Sequence, residues 1–210
     1  MRRSRSTLWM ALLFAGGSIC FVVASLPGFV ELVGSAVVGV VYFVGSLQFT
    51  SAAAIQWLQT IRRIGLDWWA SAIQFAGTLL FNLNTYDAMQ QGLDANSYDR
   101  RVWTPDVLGS ICFLVASYLA YSQSCGGFFR RPPRRRDAVI ATANLVGSVA
   151  FGIAAIAAYW VPTSGSVLDL AAANSFTALG GLCFLAGALL LLPGHARHPP
   201  GVMLSGRNPP

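Results

Sequence analysis

The sequence contains no lysine, and its only two histidines, His195 and His198, lie in the C-terminal tail. Without lysine there is no Schiff base for retinal or pyridoxal phosphate, and no P-loop lysine for a nucleotide phosphate. Histidines confined to the tail argue against an intramembrane bis-histidine haem or a histidine-ligated metal. Cysteine is sparse, with 4 in 210 residues and no Cys-x-x-Cys pair. A disulfide scaffold and a thiol oxidoreductase of the usual kind therefore fall away. Charge is scarce throughout: 10% of residues are charged, against about 25% in a soluble domain. No nucleophile–base pair is visible, so the chain reads as a non-enzyme without a cofactor.

Apolar residues fill the space left by charge, at 55% of the chain with a mean hydropathy of +0.57. A transmembrane helix needs about 20 mainly apolar residues. Six such runs are legible: Leu8 to Leu26, Phe29 to Ala54, Leu66 to Thr85, Pro105 to Tyr121, Ala138 to Val161 and Leu168 to Leu192. The breaks carry turn and charge signals, among them Pro27-Gly28, Arg62-Arg63, Pro162 to Gly165 and Pro193-Gly194. The fold class expected is all-α, a polytopic integral membrane protein whose six helices form an antiparallel bundle.

Arginine placement tests that count, because alternate loops must share a side. Six spans put 12 of the 14 arginines with both termini and leave only Arg100 and Arg101 opposite. Glu31, Asp87, Asp94, Asp99, Asp106 and Asp169 fall on that opposite side. Both termini are thus expected in the cytoplasm. Arginine without lysine, with abundant Ala, Gly and Val, suggests a GC-rich bacterial genome and hence a bacterial cytoplasmic membrane. The first run is too long for a signal-peptide apolar region and reads as a span. Trp9, Trp57, Trp68, Trp69, Trp103 and Trp160 stand near span ends, as interfacial anchors do.

A motif recurs in every span: Gly, a small residue, two variable positions, then Phe. Its glycines are Gly17, Gly45, Gly77, Gly109, Gly147 and Gly180, and its phenylalanines Phe21, Phe49, Phe81, Phe113, Phe151 and Phe184. Small residues follow seven places after most of the glycines, on the same helix face. Lipid tails are as apolar as leucine, so close backbone approach at small residues is what holds such helices together. The six glycines are accordingly expected at helix-packing contacts, with crossings near +20°. Cys20, Cys112 and Cys183 share one motif position and read as small packing groups.

The repeat divides in two ways. Gly17 to Ser25 matches Gly109 to Ser117 almost residue for residue, which implies an inverted 3+3 repeat of the kind transporters use. The other division is three hairpins of one orientation. It gives an N-terminal arm (1–7), hairpins at 8–61 and 62–121, an Arg-rich loop (122–137), a third hairpin (138–192) and a disordered tail (193–210). Paired short spans bearing Gly-Ser-x-x-Phe resemble the YrhK-like domain, a helical-hairpin membrane family. The segments Trp69 to Asn82 and Asn144 to Gly152 carry the fuller pattern. The resemblance implies an integral membrane location and supplies no catalytic residues.

Polar groups inside a membrane are functional candidates, since leaving them unsatisfied costs several kcal/mol. Three residues before each motif glycine stand Phe14, Tyr42, Gln74, Asp106, Asn144 and Thr177. Gln74, Asp106, Asn144 and Asn174 are the candidates to line a polar cavity for a small solute; interhelical hydrogen bonding is the plainer alternative. Asp106, following Pro105, also fits a solvated helix start. Arg130, Arg131, Arg134, Arg135 and Arg136 are candidates for anionic lipid headgroups, or fix topology. Nucleic acid is not an expected partner, for want of aromatic stacking platforms. The loop from Tyr86 to Trp103 is long and polar enough to meet another protein. A non-enzymatic accessory or structural membrane protein, binding itself or a membrane partner, is the leading reading, and a small-solute or ion transporter the alternative.

Overall fold

The computed structural model describes residues 2–62, 64–90 and 93–192. Arg63, part of the polar loop (Gln91, Gly92) and the whole tail read as disordered lie outside the described residues. The architecture is nearly all helical: α1 (Arg2–Ala24), α2 (Phe29–Val33), α3 (Ser35–Thr60), α4 (Leu66–Asp87), α5 (Ala95–Tyr98), α6 (Thr104–Cys125), α7 (Arg136–Ala157) and α8 (Leu170–Leu191). Among the described residues, five helices are long and apolar enough to cross a membrane: α1, α3, α6 with its preceding turns, α7 and α8. The remaining long helix, α4, carries Asp67, Gln74, Asn82, Asn84 and Asp87, which lower its hydropathy.

Several boundaries depart from the sequence expectation. α1 already begins at Arg2, so the arm at 1–7 continues into the first helix. The second run splits at Gly34, whose φ of 82° with extended ψ is open to glycine and strained for other residues. α3 then runs on to Thr60, past the expected end at Ala54. The loop from Tyr86 to Trp103 is partly helical, since α5 leads through a π-helical turn, Asp99–Trp103, straight into α6. Its first turn is closed by Asp94, whose side chain accepts from the Ser97 amide at 2.8 Å.

The fifth run stops short, at Ala157 rather than Val161. Pro162 pushes the residue before it out of the helical region. Trp160–Val161 instead pairs antiparallel with Ser166–Val167, in register Trp160 with Val167 and Val161 with Ser166. Asp169 then caps α8, accepting from the Ala172 amide at 2.9 Å.

The six long helices close into a ring. Each packs chiefly on two others, in the cyclic order α1, α3, α4, α6, α7, α8 and back to α1. Successive helices run antiparallel. One end of the ring therefore collects the N-terminus of α1, Arg62 and the 126–136 segment; the other collects Glu31, Asp87, Asp94, Asp99, Asp169 and the short β-hairpin. These are called below the arginine end and the acidic end.

Candidate functional site

The motif glycines meet in pairs, and each receives its partner's phenylalanine. A β-carbon on Gly147 would lie 2.9 Å from the Phe184 ring, and one on Gly180 2.9 Å from the Phe151 ring. The same exchange joins Gly17 and Gly45 to Phe49 and Phe21, and Gly77 and Gly109 to Phe113 and Phe81. Backbones approach so closely that a β-carbon on Gly147 would stand 3.1 Å from the Gly180 carbonyl oxygen. Between neighbouring pairs two of the three contacts are polar, while at the third, α8 against α1, a β-carbon on Gly181 would stand 3.2 Å from the Ser18 carbonyl oxygen. Ser46 and Thr85 share a hydrogen bond of 3.0 Å between α3 and α4, and Ser117 and Ser148 one of 2.7 Å between α6 and α7.

Because helices alternate in direction, the six phenylalanines form two stacked triangles on the axis. Phe21, Phe81 and Phe151 form one, in which Phe151 meets Phe21 at 5.9 Å and Phe81 at 6.1 Å between centroids. Phe49, Phe113 and Phe184 form the other, at 5.5 to 6.2 Å. Most pairs meet edge to face, a geometry worth about 0.5–1.5 kcal/mol per pair beyond area burial. The void left among the rings is about 10 Å³, no larger than a single water. An aromatic septum thus closes the middle of the bundle.

A cavity opens on each side of it. The one toward the acidic end has a volume of about 220 Å³ and is lined by Tyr42, Asn84, Tyr98, Trp103, Asp106, Asn174 and Thr177, among others. The one toward the arginine end, of about 120 Å³, is lined by Gln56, Gln74 and Asn144 with Met10 and Phe14. The four residues expected to line one polar cavity are divided between these two: Asp106 and Asn174 line the first, Gln74 and Asn144 the second. The cause is register. Three residues before the glycine lie Phe14, Gln74 and Asn144 on helices running one way, and Tyr42, Asp106 and Thr177 on helices running the other.

The two cavities differ in chemistry. The arginine-end cavity holds amides and, among the described residues, no charged side chain. Asn144 is laid against the Gly187 backbone, where a β-carbon would stand 2.6 Å from its Oδ1. The acidic-end cavity carries the Asp106 carboxyl, with the Asn84 amide against it and, among the described residues, no basic residue in the lining. Its aromatic side chains are fixed from behind. Tyr42 shares a 2.7 Å hydrogen bond with Ser25, Trp103 Nε1 donates to the Ala155 carbonyl at 3.0 Å, and Tyr98 packs on Trp160 at 5.2 Å. Trp103 is therefore more than an interfacial anchor.

The arginine cluster also divides. Arg130, Arg131, Arg134 and Arg135 are exposed. Arg136 instead donates to the Leu190 carbonyl and, at 2.8 Å, to that of Leu192, satisfying the last turn of α8. One more regularity escaped the sequence reading: the third motif position, treated as variable, is always aliphatic. Ile19, Leu47, Leu79, Ile111, Val149 and Leu182 all face outward, each 43–51% exposed.

Comparison of the chain with protein-family models, with curated proteins and with solved structures gives no match.

Proposed function

We propose that the chain is a non-enzymatic, six-span protein of a bacterial cytoplasmic membrane, built as three copies of one YrhK-like hairpin, that serves as an accessory or structural component. The observation that carries this reading is the double triangle of phenylalanines, which closes the axis where a conducting protein needs a path. The outward ring of aliphatic motif residues supports a lipid-facing surface, since a soluble protein rarely exposes so large an apolar patch. Glycine pairing within α1/α3, α4/α6 and α7/α8 supports three hairpins over an inverted 3+3 arrangement. Arginine bias puts both termini in the cytoplasm and the acidic-end cavity on the far side of the membrane. The four exposed arginines of the 130–136 segment then face anionic lipid headgroups.

Native mass spectrometry on the protein extracted gently from its own membrane tests the accessory role. A stoichiometric protein companion, or a fixed homo-oligomer, is the expected result. A lone chain that also carries solutes across liposomes would overturn it. A transporter remains the second reading, favoured by the two polar cavities on one axis; there, solute flux would be lost in Asn144→Leu with the fold retained.

A further inference from the structure

The acidic-end cavity combines features that the packing of the bundle does not require. Its carboxyl, Asp106, is in neither of the ion pairs formed among the described residues, which are Arg101–Asp87 and Arg135–Asp137. Tyr42, Tyr98 and Trp103 bring three aromatic side chains to the same space, and Asn84 and Asn174 two amides. Nearby, Asp99 Oδ1 is buried without a hydrogen-bond partner among the described residues, and Tyr98 lies within electrostatic reach of both Asp99 and Asp106. The whole end is negative, with six acidic residues against Arg100 and Arg101, and Arg101 is held by Asp87 at 2.7 Å.

We propose that this cavity binds a small organic monocation, an ammonium or quaternary ammonium group, with Asp106 as its counter-ion and the rings of Tyr42, Tyr98 and Trp103 as its walls. The chemistry selects against the alternatives. An anion would meet a carboxylate and no basic group. A hard divalent cation wants six or more oxygen ligands, often several of them carboxylates, and aromatic walls offer none. A neutral solute would satisfy the amides and bring the carboxylate no counter-charge in a confined space. An alkylated ammonium satisfies both surfaces, since its charge pairs with Asp106 while its methyl groups lie on electron-rich rings. A volume of about 220 Å³ suits a ligand smaller than a drug-sized molecule. Side chains held by Ser25, Ala155 and Trp160 keep the walls in place before the ligand arrives. A negative field at this end raises the local concentration of cations. The proposal stands on this cavity alone and holds whether the protein is an accessory component or a carrier.

The test uses the full chain in phosphatidylglycerol nanodiscs, titrated with choline chloride and with its uncharged isostere 3,3-dimethylbutan-1-ol, read by calorimetry and by the thermal unfolding midpoint. Saturable choline binding, a raised midpoint and no response to the alcohol are expected. Asp106→Asn should weaken choline by at least about ten-fold. Tyr98→Leu, which leaves the carboxylate in place, should weaken it measurably and decides the matter if Asp106→Asn does not fold. Repeating the titration in phosphatidylethanolamine discs separates the two sources of an ammonium group: weaker apparent binding identifies a lipid headgroup as a competing occupant, and unchanged binding a free cation. Equal binding of the alcohol, unchanged affinity in both variants, or no saturable response to choline, tetramethylammonium and methylammonium would overturn the proposal.

Discussion

Ser18 is fully buried in α1 and its hydroxyl has no hydrogen-bond partner among the described residues. The cause lies in the neighbouring helix. Where Ser148 of α7 meets Ser117 of α6, the same motif position in α8 is Ala188, which has nothing to offer. A buried hydroxyl left unpaired costs about 1–3 kcal/mol, whereas hydrogen bonds between membrane helices contribute about 0.6 kcal/mol each. Ser18→Ala is therefore expected to raise the unfolding midpoint and Ser148→Ala to lower it, measured in the same detergent titration. The glycines give a contrast of the same kind. Gly147→Val would force atoms into the Phe184 ring and the Gly180 backbone, at a cost of about 1–3 kcal/mol. Gly152→Ala, with open space around it, should leave stability unchanged or slightly higher.

Elements are tied at their ends by a few polar contacts that respond to pH or to mutation. Hydrogen bonds from Ser97 hold the Asp94 carboxyl below the usual aspartate value of 3.8. A group whose folded pKa is depressed lends stability above the unfolded value and loses it as pH falls through the folded one. The Ser97 amide resonance should accordingly titrate with a midpoint below pH 3.8, and Asp94→Asn should abolish the transition while keeping the turn. At the opposite end, Arg136→Ala frees the carbonyls of Leu190 and Leu192. Faster hydrogen exchange in the last turn of α8 is the expected outcome, with the other helices unaffected.

How much of this was legible beforehand also differs from element to element. Long apolar runs and their Pro-Gly breaks located the helices, because length and hydropathy dominate in such sequences. They missed the break at Gly34, an ordinary-looking glycine whose positive φ depends on the turn around it. They missed the strand pair at Trp160–Val161 as well, whose residues are as apolar as the helix before them. For the site, the position three residues before the motif glycine was readable as a polar stripe. That it feeds two cavities was not, since only the alternation of helix direction sends Asp106 one way and Gln74 the other. Trp103 resembled an interfacial anchor, and Tyr98 a member of the external polar loop, until α5 and the π-helical turn brought both to the cavity lining.

At the scale of the molecule, one motif performs three tasks in each helix: glycine admits the partner, phenylalanine fills the axis, and the aliphatic residue between them faces outward. The closed ring leaves the septum as the barrier between the cavities. Removing one ring from each triangle, as in Phe113→Ala with Phe151→Ala, should raise proton leak in liposomes above the wild-type level. An unchanged leak would show that the barrier lies elsewhere.

The pair of polar cavities also shapes how the molecule meets an electric field. In a membrane, polar recesses that admit water from either side would carry the potential of their own bathing solutions inward. The voltage then falls over the phenylalanine layer instead of the full hydrocarbon thickness of about 30 Å. A charge crossing the whole drop changes in energy by about 2.3 kcal/mol per 100 mV. Asp106 stands on the acidic side of that drop, so a cation bound there feels almost none of it, and its affinity should not change when the membrane is polarised.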